Sequence, residues 1–390
     1  MQPSLDQLAR SAAEHERHNR LQPAMSCAAQ ALVQDPSHPL ASLIAARCAR
    51  RAGALDQALS HLNNVNQNQR GAPHIHEWAK ILDKQGQYEM AYKAFTIANQ
   101  ARRAEHPNVD RTLMPRFIAH IQSCFTADWV QSWTPLPPSI RPAPLFMVGF
   151  NRSGTTLLDR MLDAHPQIHV MEEVSAIDQA RQVLGSLYPH GLANLDPTNL
   201  RAAREAYFAV VDAHIPAGFN GLVVDKLPLS TIALGLIHRL FPSAKTVFSL
   251  RHPADVVLSN FMQNYLPNPI TAHFDSLEST ASLYAQVMGL GLHLRSMLPM
   301  AVLDIRYEDL VDDWETQVRR LLDFAGTTWD DQIHGYRGRT QQQGLIGTPS
   351  YAAVVEPVNR KAVGRHHNYA DAIAKVSPVL EPFIDAFDYS

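Results

Sequence analysis

Cysteine is scarce in this 390-residue chain, and its three copies, Cys27, Cys48 and Cys124, are scattered upstream of residue 130. That number and spacing fit neither a disulfide framework nor a zinc site, so a reducing compartment, the cytoplasm, is the expectation. Charge is also thin: 18% of residues are charged and the formal net charge is −3, which gives no electrostatic reason to expect nucleic acid as a partner. No apolar run is long enough to span a bilayer, and the N-terminal MQPSLDQLARSAAEHERHNR has no apolar leader core. Neither membrane insertion nor secretion is expected. Histidine alone is plentiful, at 19 copies, but HERH at 15–18 misses the HExxH spacing, and His74 with His76 and His366 with His367 lack an evident carboxylate partner. No metal is expected.

A chain of this length is comfortable as two domains. In its first third, Ala24, Ala58 and Ala91 recur about every 34 residues, and Gly53 and Gly86 each stand five residues before an Ala, in GALDQA and GQYEMA. Gly opens a turn between two helices and Ala sits where they touch; Asp35-Pro36 closes one helix and starts the next. This layout resembles the tetratricopeptide repeat, with Ala31, Ala58 and Ala91 at small-residue positions and Phe95 at a packing position, and the resemblance implies a concave surface for a protein or peptide partner. A plain helical bundle is the alternative. The repeats are placed at 1–105, followed at 106–142 by a connecting helix and a linker whose five prolines (Pro135, Pro137, Pro138, Pro142, Pro144) exclude helix.

From residue 143 to 390 the texture changes. LFMVGF (145–150), LVVD (222–225), KTVFSL (245–250) and AVLDIRY (301–307) look like buried parallel strands, with amphipathic helices between them. The alternation predicts an α/β domain with a parallel sheet. In the helix DDWETQVRRLLDFAG, Asp312 and Glu315 have capping-box spacing and Gly326 is a C-cap candidate.

The first strand runs through Gly149 into Asn151-Arg152-Ser153-Gly154-Thr155-Thr156 and then into a helix. This is P-loop layout with Thr155 where the usual motif has lysine. Backbone N–H groups and the helix N-terminus still attract phosphate, and Arg152, Ser153, Thr155 and Thr156 add donors that suit a 5'-phosphate better than a magnesium-bound triphosphate. At these residues the chain resembles the sulfotransferases that use 3'-phosphoadenosine 5'-phosphosulfate (PAPS), in particular the branch holding tetratricopeptide-sulfotransferase fusions and tyrosylprotein sulfotransferases. The resemblance covers roughly 143–370 and implies that RSGTT (152–156) binds the 5'-phosphosulfate. It implies further that Arg251 and Ser259, in RHPADVVLS, hold the 3'-phosphate, and that Lys226, in VVDKLPLS, contacts the transferring group. Ser350 and Arg365, near the C-terminus, fall where tyrosylprotein enzymes have a Ser and a basic residue by the nucleotide.

Sulfuryl transfer needs a base for the acceptor's proton. Glu173 stands at the spacing from RSGTT where tyrosylprotein sulfotransferases carry a catalytic Glu, with Glu172 as the neighbouring candidate; alternatively both simply begin a helix. Asn151 and Met171 depart from the Pro and Gly of relatives, which leaves protein tyrosine, a sugar hydroxyl or a small molecule open as acceptor. Two rival readings are a P-loop kinase or NTPase and a repeat scaffold with an inactive sulfotransferase-like domain. Since every nucleotide motif lies beyond the linker, nucleotide binding is expected to survive removal of residues 1 to about 105.

Overall fold

A computed structural model describes residues 3–343 and 357–389. Three helix pairs open the chain: α1 (Leu5–Arg17) with α2 (Leu21–Gln34), α3 (Pro39–Arg51) with α4 (Leu55–Asn63), and α5 (Ala72–Lys84) with α6 (Tyr88–Glu105). Ala24, Ala31, Ala58 and Ala91 are fully buried, as close helix packing requires. Within each pair the turn passes through the left-handed region, at Asn19 (φ 56°), Gly53 (φ 84°) and Gly86 (φ 76°). Glycine visits that region freely and asparagine tolerates it, so Asn19 fills in the first pair the position that the sequence pattern showed only in the second and third.

Two further helices, α7 (Leu113–Cys124) and α8 (Ala127–Gln131), lead to the proline-rich segment. That segment is helix-free, as expected, but pinned: Arg204 donates to the Pro137 carbonyl (2.9 Å), Arg239 to that of Thr134 (2.9 Å), and Arg141 pairs with Asp212 (2.7 Å).

Beyond it the chain alternates through β1 (Leu145–Gly149), α9 (Thr155–Asp163), β2 (Ile168–Glu172), α10 (Ala176–Leu184), α11 (Pro197–His214), β3 (Leu222–Lys226), α12 (Leu234–Leu240), β4 (Lys245–Leu250), α13 (Pro253–Phe261), α14 (Leu277–Met297), β5 (Ala301–Arg306), α15 (Tyr307–Asp312), α16 (Trp314–Ala325) and α17 (Tyr336–Gln343). The five strands pair in parallel in the order β2-β3-β1-β4-β5. Four are the strands read from the sequence. The fifth, β2, lies at the sheet edge and carries polar His169 and Glu172, so it lacked the continuous apolar run of a central strand. Glu172 therefore ends a strand and Glu173 follows it in a bend; the alternative in which they begin a helix does not hold. Asp312 does not cap α16: Asp313 does, accepting from the Thr316 N–H (3.2 Å), because a separate short helix ends at Asp312. Gly326 is the C-cap, at φ 86°.

One hydrophobic core runs without a break from the helices into the α/β region, joining Phe95, Ile118 and Phe125 to Phe146, Phe248 and Phe261 on one face of the sheet. Polar contacts cross the same boundary. Asn99 donates to the Phe261 carbonyl (3.0 Å), and His76 bonds that of Met262 (3.0 Å) while His74 bonds that of Pro39 (3.0 Å), which gives the HIH pair structural partners. Met147, Leu158, Met161 and Val247 belong to the core on the sheet's other face.

Candidate active site

The C-terminal ends of β1, β2, β3 and β4 meet where an open parallel sheet binds ligands. Gly149 ends β1 at φ 154°, and a Cβ there would stand 2.5 Å from the Ser249 carbonyl oxygen of β4, so only glycine lets the two strands run this close. Its N–H donates to Thr231 Oγ1 (3.0 Å), whose hydroxyl returns a bond to the Gly149 carbonyl (2.7 Å). The loop then turns at Arg152, a non-glycine residue at φ 73°, and at Gly154 (φ 91°), which is the N-cap of α9. A Cβ on Gly154 would come 2.5 Å from the Tyr307 ring. Ser153, Thr155 and Thr156 are buried around the N-terminus of α9.

Arg152, Arg251 and Ser259 come together as the sequence reading requires. Arg152 Nε donates to Ser259 Oγ (3.1 Å), and Arg251 Nη1 donates to the Arg152 carbonyl (3.2 Å). Arg251 also donates to the Ala362 carbonyl, lies 3.7 Å from Asp255 and 5.0 Å over the Tyr307 ring, yet its Nε is buried with no hydrogen-bond partner among the described residues. Burial lowers the Arg152 pKa from its ordinary value, so its guanidinium is poised to gain from an anion. Asp255, which burial alone would raise, is held low by the His366 hydrogen bonds and by Arg251, and it fastens the closing segment through the Gly364 and His366 N–H groups (both 2.8 Å).

Lys226, at the end of β3, is fully buried, with its ammonium 3.1 Å from Asp159, 3.3 Å from Glu173 and 3.5 Å from Glu172. Burial opposes this charge, but Asp159, Glu173 and Glu172 together hold its pKa above the ordinary lysine value. Arg160 pairs with Asp159 (3.1 Å) and with Glu172. Glu172 is thus clamped between two cations. Glu173 is paired with Lys226 alone among these and is 45% exposed against 24% for Glu172. Glu173 also sits at φ 55°, its N–H held by the Lys226 carbonyl (2.7 Å). Left-handed strain at a carboxylate costs about 1–3 kcal/mol and persists where the surroundings dictate it.

Asp159 and Arg160 were not found from the sequence, although a charged pair one turn into the helix after RSGTT was the available signal. Burial pushes the Asp159 carboxyl up to about 7 despite Lys226 and Arg160. Asp225 points to the opposite side of β3, accepts from the Tyr207 hydroxyl (2.7 Å) and is raised by burial, also to about 7.

The cleft holding Arg152, Gly154, Thr156 and Arg251 has a volume of about 640 Å³, a size suited to a nucleotide. Lys361 and Arg365 line it from the closing segment, and Tyr307 and Val358 supply apolar wall. Arg365 reaches the cleft but is tied to Asp83 of α5, whose other oxygen accepts from Tyr369 (2.7 Å). Ser350 lies outside the described residues. Histidine and cysteine meet at one place among the described residues: His120, Cys124 and His190 bring their ligand atoms within 4.8 Å of one another, and none of the P-loop residues is in that group.

Residues 144–331 match the model of the family described as "Sulfotransferase family". An uncharacterized protein of Aquifex aeolicus is 27% identical over 317 residues, covering 77% of this chain and 40% of that protein. Protein-tyrosine sulfotransferase 2 of Gallus gallus is 26% identical over 269 residues, covering 60% of this chain and 67% of that enzyme. The chain thus spans between about two fifths and two thirds of these relatives' lengths. Among solved structures, the sulfotransferase domain of the Synechococcus PCC 7002 olefin synthase is similar at 21% identity and a TM-score of 0.44, covering 64% of this chain and 98% of that one.

Proposed function

Residues 144–331 form a sulfotransferase-family domain, and from that premise we propose that this protein transfers a sulfuryl group from PAPS to an acceptor hydroxyl. The observation that carries the reading is the convergence of Arg152 of the β1 loop with Arg251 and Ser259 beside one cleft, with Arg251 Nε buried and without a hydrogen-bond partner among the described residues. The loop N–H groups and the α9 N-terminus suit the 5'-phosphosulfate, and Arg251 with Ser259 suits the 3'-phosphate. A nucleoside triphosphate with magnesium would leave the 3'-site without a role.

In the reaction the acceptor oxygen forms a bond to sulfur as the bond from sulfur to the 5'-phosphate oxygen breaks, releasing 3'-phosphoadenosine 5'-phosphate (PAP). Glu173, the more exposed carboxylate, takes the hydroxyl proton. Lys226, held cationic by its carboxylates, offsets charge on the departing oxygen. Asp159 and Glu172 fix the ammonium, and Arg160, paired with Glu172, keeps that carboxylate from serving as base. The acceptor is a protein tyrosine, a sugar or a small molecule, and the free thiols of Cys27, Cys48 and Cys124 suit a cytoplasmic setting. Among the described residues no helix is long and apolar enough to cross a membrane.

The test is transfer of label from ³⁵S-PAPS to fractionated cell extract. Label should appear in an acceptor fraction with wild-type protein and fall at least about 100-fold with Glu173→Gln. Absence of both transfer and PAPS hydrolysis would favour the inactive scaffold.

A further inference from the structure

The helical region does not stand apart from the nucleotide cleft. The ends of α3 and α5 form its second wall, where Arg50, Arg51 and Lys84 line the same 640 Å³ space as the P-loop. Basic residues in a last helical turn are ordinarily accounted for by the helix dipole. Here both C-termini are also aimed at one cavity that already carries Arg152 and Arg251, a concentration of positive charge that favours an anionic ligand. The one carboxylate lining the cleft among the described residues, Asp83, is engaged by Arg365 and Tyr369 and so does little to neutralise the rest.

Arg50 and Arg51 are also placed by definite contacts. Arg50 is committed to buried Glu77. Arg51 is positioned by Glu16 (3.4 Å) and by Asn19, the residue whose left-handed turn brings it to the cleft edge. Lys84 is exposed, follows Asp83 directly and lines the cleft. The continuous core between α5–α6 and α13 fixes this wall against the α/β domain.

We propose that the helical repeats are part of the donor site, and that Arg51 and Lys84 bind the anionic edge of the 3'-phosphorylated adenosine. The inference rests on the PAPS reading above. It replaces the expectation that nucleotide binding survives loss of residues 1–105: a cleft with one wall removed exposes the nucleotide to water and loses these cations.

The experiment is calorimetric titration of PAP and of AMP into the full chain, wild type and the single variants Arg51→Ala, Arg51→Lys and Lys84→Ala, with thermal melts of each. Arg51→Ala and Lys84→Ala should each weaken PAP about 5- to 20-fold, with less effect on AMP, and Arg51→Lys should restore part of the loss. Should Arg51→Ala fail to fold because Glu16 and Asn19 lose their partner, Lys84→Ala, whose site is exposed, decides alone. Wild type that does not bind PAP would sink the PAPS reading and this inference with it. Wild type that binds PAP while the variants bind within twofold of it would overturn this inference and leave the PAPS reading standing.

Discussion

Replacing Lys226 by Met removes the one cation that Asp159, Glu172 and Glu173 share, at 3.1, 3.5 and 3.3 Å. Methionine fills nearly the same volume, so the packing loss is small and the electrostatic loss dominates. Breaking a buried pair by removing one partner costs about 3–5 kcal/mol. With an unfolding entropy of about 2.1 cal/mol/K per residue, taken over the whole chain unfolding together, that corresponds to a fall in Tm of about 4–6 °C. The loss should depend on pH in a definite sense. Burial already raises Asp159 to about 7, and without the ammonium it rises further. A carboxyl whose folded pKa is raised contributes stability that is present at low pH and lost as pH rises through that value. The deficit of Lys226→Met against wild type should therefore be smaller at pH 6 than at pH 8. Adding Asp159→Asn should recover part of it at pH 8, while sulfuryl transfer stays abolished. The assay is circular dichroism melting at both pH values. A variant melting within 1 °C of wild type at pH 8, or a double variant with no recovery, would refute the picture of a buried ammonium caged by carboxylates.

Arg251→Ala and Glu173→Gln should fail differently: the first weakens PAP binding by about 1.5–3 kcal/mol and erases discrimination between PAP and AMP, whereas the second binds PAP normally and loses about 10²- to 10⁴-fold in turnover. Titration calorimetry and single-turnover kinetics separate them, and interchanged phenotypes would reverse the assignment. Asp225 is raised by burial to about 7 from 3.8 and faces Tyr207, so it favours the fold below about pH 4 and that contribution is lost as pH rises through 7, about 4 kcal/mol in all. Asp225→Asn should flatten the stability profile between pH 5 and 8 in urea titrations; an unchanged slope would show that Asp225 is ionised in the folded protein.

What could be read from the sequence was whatever sits in contiguous stretches. Strand, loop and helix follow one another within residues 145–163, and Arg251 and Ser259 are eight residues apart, so the phosphate loop and the second anion site were visible as motifs. The turn glycines Gly53 and Gly86 announced the helix pairs, while Asn19 in the same role did not, since asparagine occupies many other conformations. Strand β2 was hidden by its polar edge position, and with it the backbone turn that places Glu173 beside Lys226. Asp159, Arg160 and the cleft-lining Arg51 and Lys84 depend on contacts between distant segments, which no local periodicity encodes. The same limit explains why the helical region read as a separate body: a proline-rich stretch looks like a spacer until Arg204 and Arg239 are seen to hold it down.

The most direct measurement of the central claim is equilibrium binding of PAP to the full chain in EDTA, set beside ATP with magnesium. The cationic cleft predicts PAP binding that needs no divalent ion, weakens with added salt, and exceeds the affinity for ATP–Mg²⁺ by at least about tenfold, because only PAP engages Arg251 and Ser259. Tighter binding of ATP–Mg²⁺, with PAP binding absent or lost on chelation, would contradict it and make the protein a P-loop kinase or NTPase.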